Sequence, residues 1–288
     1  MGAARQLMCA PGGDGPNSTY TRVAFNKVGK AGGSELASIR SRLAPVLGYT
    51  LVRAKRFNPP TDELAATLSE LRCGQVYSNH AQHLRTTARE LAWINVVREP
   101  IDREKSLFYY FVDPVAHKSF KANASLAARR RDMRCGYAGL EFDACIRLRH
   151  ARGCPLGCTA GQMSAFCAPS ASSCSLLEAA AALDDYLFVG LMEEYDLTVR
   201  VFEALLPQFF EGASATYNDK RRRRPKAGAT RNPVTGTLGL GAVSKSARGI
   251  LLNTSSCAQE ARFYALAKRK FWLIAGRVFG TGLLDARV

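Results

Sequence analysis

Strands alternating with helices predict an α/β fold, a parallel sheet flanked by helices. Three observations carry that expectation. Leu91–Val97 and Tyr186–Leu191 are nearly continuous apolar runs of strand length, as strands buried on both faces require. A strand, a glycine-rich turn and a helix follow one another between Tyr20 and Leu47. Strand-like and helix-like stretches then alternate along most of the chain, which demands crossover connections between parallel strands.

Taken in order, Tyr20–Asn26 is β-rich and alternating, and reads as the first strand. Val28 to Ser34 is the glycine-rich turn. Glu35 to Leu47 has apolar residues at Leu36, Ile39, Leu43 and Leu47, a helical spacing. Tyr49–Ala54 is a second strand. Thr61–Leu71 is a helix with Thr61 as its N-cap and acids in its first turn. Gln75–Ser78 is a short strand leading to His80, Leu91–Val97 a buried one, and Asp102–Val112 a helix. Residues 114–175 are basic, cysteine-rich and irregular, and read as an insertion over the core. Leu176–Leu183 is helical, Tyr186–Leu191 a strand, and Leu197–Phe210 a helix. Lys220–Lys245, basic and glycine-rich, reads as a mobile loop, and Ser256–Phe279 as a long final helix. Residues 1–18 read as a disordered lead-in, and 19–285 as a single domain.

The chain has 288 residues, 47% hydrophobic and 22% charged, an ordinary globular composition with enough apolar residues for a sizeable core. Its net charge of +16 implies an acidic partner: a nucleotide, an acidic polysaccharide, anionic lipid or nucleic acid. Nine cysteines are many for a reducing compartment. Cys154-Pro-Leu-Gly-Cys158 has tolerable zinc spacing, but no second close pair completes a site, so disulfides in an oxidising compartment are the preferred reading. Sequons at Asn17, Asn123 and Asn253 point to the secretory route. No signal peptide or long apolar run is present, so a membrane anchor is expected outside this chain.

A buried strand, a glycine-rich turn bearing a lysine, and a helix make a phosphate site. The turn's N–H groups and the helix N-terminus point at the anion, and the lysine adds a charge. Lys30 is that lysine, and Gly29, Gly32 and Gly33 allow close backbone approach. The turn is not a Walker A loop, because Ala31 stands where a magnesium-binding hydroxyl would be. A donor whose transfer needs no metal fits better. Arg98 ends a buried strand, where a guanidinium can fork onto a phosphate. Among four histidines, one near its ordinary pKa could take a proton from a hydroxyl.

Phe25-Asn-Lys-Val-Gly-Lys-Ala-Gly-Gly33 resembles the Tyr-Asn-Arg-Val-Gly-Lys-Cys-Gly-Ser loop of the uronyl 2-O-sulfotransferases, a position that reads Tyr-Asn-Arg-Val-Pro-Lys-Thr in the heparan sulfate 2-O-sulfotransferases. Arg98-Glu-Pro-Ile-Asp-Arg-Glu-Lys-Ser106 is similar to their Arg-Asp-Pro-Ile-Glu-Arg-Leu-Val-Ser. Phe142-Asp-Ala-Cys145 and Phe202-Glu-Ala-Leu-Leu-Pro-Gln-Phe-Phe-Glu-Gly212 resemble two further blocks in the same order. Together the blocks span roughly residues 20 to 279.

The resemblance implies the sulfotransferase fold, with its P-loop-like strand-loop-helix and a cysteine-rich insertion. It also implies transfer of a sulfuryl group from 3′-phosphoadenosine 5′-phosphosulfate (PAPS, leaving PAP) to the 2-hydroxyl of a uronic acid in a glycosaminoglycan-like polysaccharide, with no metal. Lys30, Ala31, Gly32, Gly33 and Ser34 are then the 5′-phosphosulfate loop, with Lys30 also catalytic, and Arg98 and Ser106 bind the 3′-phosphate. Val76-Tyr-Ser-Asn-His80 is similar to the segment that carries the family's base, which points to His80, with His83 as rival. Lys27, Arg129, Arg130 and Arg131 occupy acceptor-binding positions. Cys145–Cys154 and Cys167–Cys174 occupy the places of two short disulfide loops, with Cys158 as another partner for Cys145. Lys220-Arg-Arg-Arg-Arg224 is either a solvated charge run or a loop over the cofactor. The family context implies the Golgi lumen, a type II anchor and a homotrimer, with no nucleic-acid partner. Two alternatives remain open: a sulfotransferase for another polysaccharide hydroxyl, and a non-catalytic polyanion-binding protein.

Overall fold

The computed structural model describes residues 20–53, 56–85, 88–112, 141–158, 161–168, 174–223 and 242–280. The lead-in, the sequons Asn17 and Asn123, and Arg129, Arg130 and Arg131 lie outside them. The chain divides into two compact units. The first comprises the described residues of Met1–Arg98, Gln162–Arg223 and Arg262–Val288. The second comprises those of Glu99–Gly161 and Arg224–Ala261.

The first unit is built on a five-stranded sheet in which all neighbours pair in parallel, in the order β2-β3-β1-β4-β5. The strands are β1 (Arg22–Asn26), β2 (Thr50–Val52), β3 (Gln75–Asn79), β4 (Leu91–Val97) and β5 (Tyr186–Leu191). β4 is buried at every residue, as its apolar run requires, and β1 lies between β3 and β4. The helices of this unit are α1 (Gly33–Leu47), α2 (Thr61–Ser69), α5 (Leu176–Ala182), α6 (Tyr195–Leu205), α7 (Pro207–Phe210) and α8 (Ala213–Arg223). To these is added the Arg262–Phe279 part of α10 (Ser255–Phe279). Phe25, Ile94, Phe188, Phe202, Phe263 and Phe271 anchor its core.

The second unit holds α3 (Pro100–Val112), α4 (Phe142–Ala151), α9 (Lys245–Leu252) and the start of α10. Its own core gathers Ile101, Phe108, Phe142, Ile146, Val243 and Leu251. Arg248 of α9 pairs with Glu99 at 2.8 Å and Asp102 at 3.2 Å. Cys158 and Cys257, 99 residues apart, are bonded with Cα atoms 4.8 Å apart.

Several local expectations are corrected. Thr61 is not an N-cap: Pro60 holds that position, and no side chain caps the helix. That helix stops at Ser69, and the carbonyl of Leu71 accepts a bond from the Arg22 guanidinium at 3.1 Å instead. The expected helix Leu197–Phe210 starts earlier and breaks at Leu206, because a residue before proline is driven out of the helical region (φ −136°). Lys220 to Arg223 are helical in α8, not loop, and the rest of that stretch up to residue 241 lies outside the described residues. No helix among the described residues is long and apolar enough to cross a membrane.

The Cys145–Cys154 bridge is also corrected. Cys145 is disulfide-bonded, but Cys154 is an exposed free thiol. α4 continues from Cys145 to Ala151, carrying the chain about 9 Å along the helix axis, beyond the span of a disulfide. Gly153 (φ 64°) then ends the helix, with its N–H bonded to His150 and that of Cys154 to Arg149, so the C-terminal motif fixes Cys154 in place. Cys158 partners Cys257, which removes both the alternative bridge to Cys145 and the zinc reading of Cys154–Cys158. Cys167 and Cys174 are bonded, with Cα atoms 5.6 Å apart.

Candidate active site

β1 ends at the point where the strand order reverses, and ligands of open parallel sheets gather there. Asn26, the last residue of the strand, is fully buried. Its amide donates to the Ala165 carbonyl at 2.8 Å and to the Tyr186 hydroxyl at 2.7 Å. It accepts from the Asn95 amide through its own carbonyl (2.7 Å) and its side-chain oxygen (2.9 Å). The chain therefore leaves the sheet from a point fixed by β4 and β5. A satisfied buried polar network specifies one arrangement, because each lost partner leaves a costly orphan.

The turn after β1 is tight. Lys30 adopts φ 65° and Gly32 φ 85°, both left-handed. Gly32 has no room for a side chain, since a Cβ there would lie 2.6 Å from Met192 Sδ and 2.8 Å from Tyr195 Cε2. Lys30 holds the same conformation with a full side chain, a strain that clusters at functional sites. Gly32 caps α1 without any side-chain bond, and in the first turn of this 15-residue helix the Glu35 N–H donates to the Gly32 carbonyl at 3.0 Å. The stem of Lys27 lies across Gly33. Glu35, an acid in the first turn, is paired with Lys220 of α8 at 3.0 Å, which neutralises a charge that would repel an anion there.

Arg98 ends β4 beside this turn, and its Nη1 donates to the Lys30 carbonyl at 3.4 Å. Gln162 holds the Arg98 backbone from both sides: its side chain accepts from Arg98 N–H at 3.0 Å and donates to Arg98 C=O at 2.7 Å. Burial, and then the charge of Arg98, lower the Lys30 pKa to about 8. Burial, Arg40 and Arg53 lower that of Lys27 to about 8. Crowded, half-desolvated cations gain most from an arriving anion, because it relieves both penalties.

His80 follows β3 directly, and β3 is the neighbour of β1, so it emerges beside Lys27. Its pKa is lowered by burial and then by the Lys27 charge, and its ring hydrogen-bonds the Lys27 backbone. His83 sits differently, packed against Trp93 and Tyr186 with ring centroids 5.0 and 5.2 Å away. It lies 3.6 Å from Asp185, lines a cavity of about 180 Å³ with Tyr20 and Leu91 near the strands' amino ends, and is lowered by burial to about 4.

The first unit thus brings together Lys27, Lys30, Ala31, Gly32, Gly33, Ser34, His80 and Arg98. Ser106 lies half-buried on α3 of the second unit. No group of three or more His, Cys, Asp or Glu side chains suited to a metal occurs among the described residues. Sequence reasoning missed Arg40, which is 2% exposed on α1. It donates to Ser78 at 2.7 Å and lies 4.9 Å over the Phe25 ring. On a helix an arginine reads as surface, and nothing in the sequence marks this one as buried. Gln162 and Tyr195 were missed because their partners are remote in sequence.

No family model matches the chain. It is 27% identical over 288 residues to the Drosophila melanogaster protein named Uronyl 2-sulfotransferase homolog pip, covering 89% of this chain and 54% of that one. It is 24% identical over 282 residues to the human Uronyl 2-sulfotransferase, covering 90% and 64%. It is 24% identical over 226 residues to the Mus musculus Uronyl 2-sulfotransferase, covering 71% and 53%. The chain spans between about half and two thirds of the length of these relatives.

Proposed function

We propose that this chain, similar at 24–27% identity to the uronyl 2-sulfotransferases, belongs with them and transfers a sulfuryl group from PAPS to the 2-hydroxyl of a uronic acid in a glycosaminoglycan-like polysaccharide. One observation carries the reading: an uncapped helix N-terminus behind a Gly32-only turn, with Lys30 and Arg98 on its flank.

The loop fits such a donor. Its left-handed Gly32 is fixed in close packing against Met192 and Tyr195, its helix carries no side-chain cap, and its cations are crowded. PAPS, when bound, supplies the sulfuryl group. The amides of Ala31, Gly32, Gly33 and Ser34 would hold its 5′ end, and Arg98 would hold its 3′-phosphate. Lys30 keeps a positive charge where negative charge grows on the departing phosphate. His80 takes the proton of the acceptor hydroxyl. Its hydrogen bond to the Lys27 backbone favours the charged ring, so the ring is the donor there and its other nitrogen is left to accept. His83 suits this role less, being packed among aromatic rings near the other end of the sheet. The roles of Ser106, Arg129, Arg130 and Arg131 rest on the resemblance alone, as do a trimeric assembly and residence in the Golgi lumen.

Titration calorimetry with PAP in EDTA tests the reading. Micromolar binding is expected, and Lys30→Ala and Arg98→Ala should each abolish it. No binding by a folded, disulfide-intact sample would overturn the proposal and favour a polyanion-binding protein, whose affinity depends on salt and not on PAP.

A further inference from the structure

Phe57 is 75% exposed, among the most exposed large apolar residues of the described chain. A single exposed aromatic needs no explanation by itself. This one has a ring partner, because its centroid lies 4.6 Å from that of His80 with the planes inclined by 31°. It is also held. Asn58, at φ 53°, donates its N–H to the His80 carbonyl at 2.8 Å. Asn79 donates its side-chain amide to the Arg56 carbonyl at 2.5 Å. Pro59 and Pro60 follow and stiffen the exit. The 56–58 segment is therefore a shelf laced to the end of β3, and it carries an apolar ring at the proton-accepting imidazole. Lys27 and Arg53 supply positive charge around that end of the sheet, since each acts on its neighbours there.

A pyranose has an apolar C–H face and a polar rim. An exposed aromatic ring beside cations and a base matches both parts of an acidic sugar, with the face on the ring and the carboxylate on the cations. Covering an aromatic face removes apolar surface from water. We propose that Phe57 is the acceptor platform of this site, stacking on the C–H face of the uronic acid whose hydroxyl faces His80. The inference rests on the transfer reading above and names a residue for which the family resemblance gave no role.

The test is binding of a chemically desulfated heparin hexasaccharide to the PAP-loaded protein by calorimetry, with transfer assayed in parallel. Phe57→Ala should weaken hexasaccharide binding about tenfold, the scale of covering one aromatic face. Phe57→Trp should keep the affinity, and both variants should bind PAP as the wild type does. Wild-type affinity in Phe57→Ala, or equal losses in both variants, would overturn the platform. So would a wild type that binds PAP but no hexasaccharide. A wild type that binds the hexasaccharide, weakened by Phe57→Ala, yet transfers nothing would sink the transfer reading and leave the platform standing.

Discussion

His80 and His83 stand three residues apart in contrasting surroundings. His80 emerges beside Lys27, whose charge adds to burial in holding its pKa below 6.5. As the proposed base, His80 must be neutral to work, so the acid limb of kcat/KM should lie below the ordinary histidine value. Lys27→Met removes the neighbouring charge, with Arg40 and Arg53 left behind it, and the limb should move to higher pH. A pH–rate profile of the variant checks this. His80→Ala should abolish turnover with PAP affinity intact. His83 has a folded pKa near 4, below its unfolded 6.5, so its neutral form is the one that folds. Its stabilising contribution is complete above pH 6.5 and is lost as pH falls toward 4, roughly 3 kcal/mol in all. His83→Phe should flatten the acid slope of stability measured by urea denaturation at successive pH values. The sequence marked both histidines as candidates, but the partners that separate them, Lys27, Trp93 and Tyr186, come from other strands.

At the scale of elements, α1 depends on two features of its first turn. Gly32→Ala places a Cβ against Met192 and Tyr195 in a left-handed conformation. The conformation costs about 1–2 kcal/mol and the crowding about 1–3 kcal/mol, so the variant should melt earlier and bind PAP weakly. Lys220 shields Glu35 at the same terminus. Lys220→Ala should weaken PAP binding a few-fold, and adding Glu35→Ala should restore it, a coupling that a double-mutant cycle by calorimetry reads directly. The elements legible in the sequence were those whose burial writes a pattern. β4 and β5 were bounded to the residue by their apolar runs, and the loop after β1 was marked by its glycines and lysine, although α1 begins at Gly33, two residues before the expected Glu35. β2 shrank to three residues from the expected six because its sequence is mixed and it lies at the sheet edge. Arg40 escaped because a buried cation looks the same in sequence as an exposed one.

The whole molecule consists of two units with separate cores, and the second is closed by Cys158–Cys257. A loop of about 100 residues gives a disulfide roughly 4–5 kcal/mol of stabilisation by restricting the unfolded chain. Replacing both cysteines with alanine should lower the urea midpoint strongly, whereas Cys154→Ser should leave it unchanged. The family resemblance supplied two short loops and not this pairing, and a partner 99 residues away leaves no local trace in the sequence. The same distance between sequence and space governs the phosphate turn. Asn26 is held by Asn95, by the backbone of Ala165 and by Tyr186, so the turn that follows it is anchored only after residue 186 has joined the sheet. On the ribosome, the turn after β1 will therefore emerge before the strand that anchors it, and the proposed nucleotide site stays incomplete until the chain through β5 has also emerged. On the proposed function, acquisition of PAP affinity would report that β5 has docked, and a nucleotide analogue present during synthesis would favour chains that have completed that step.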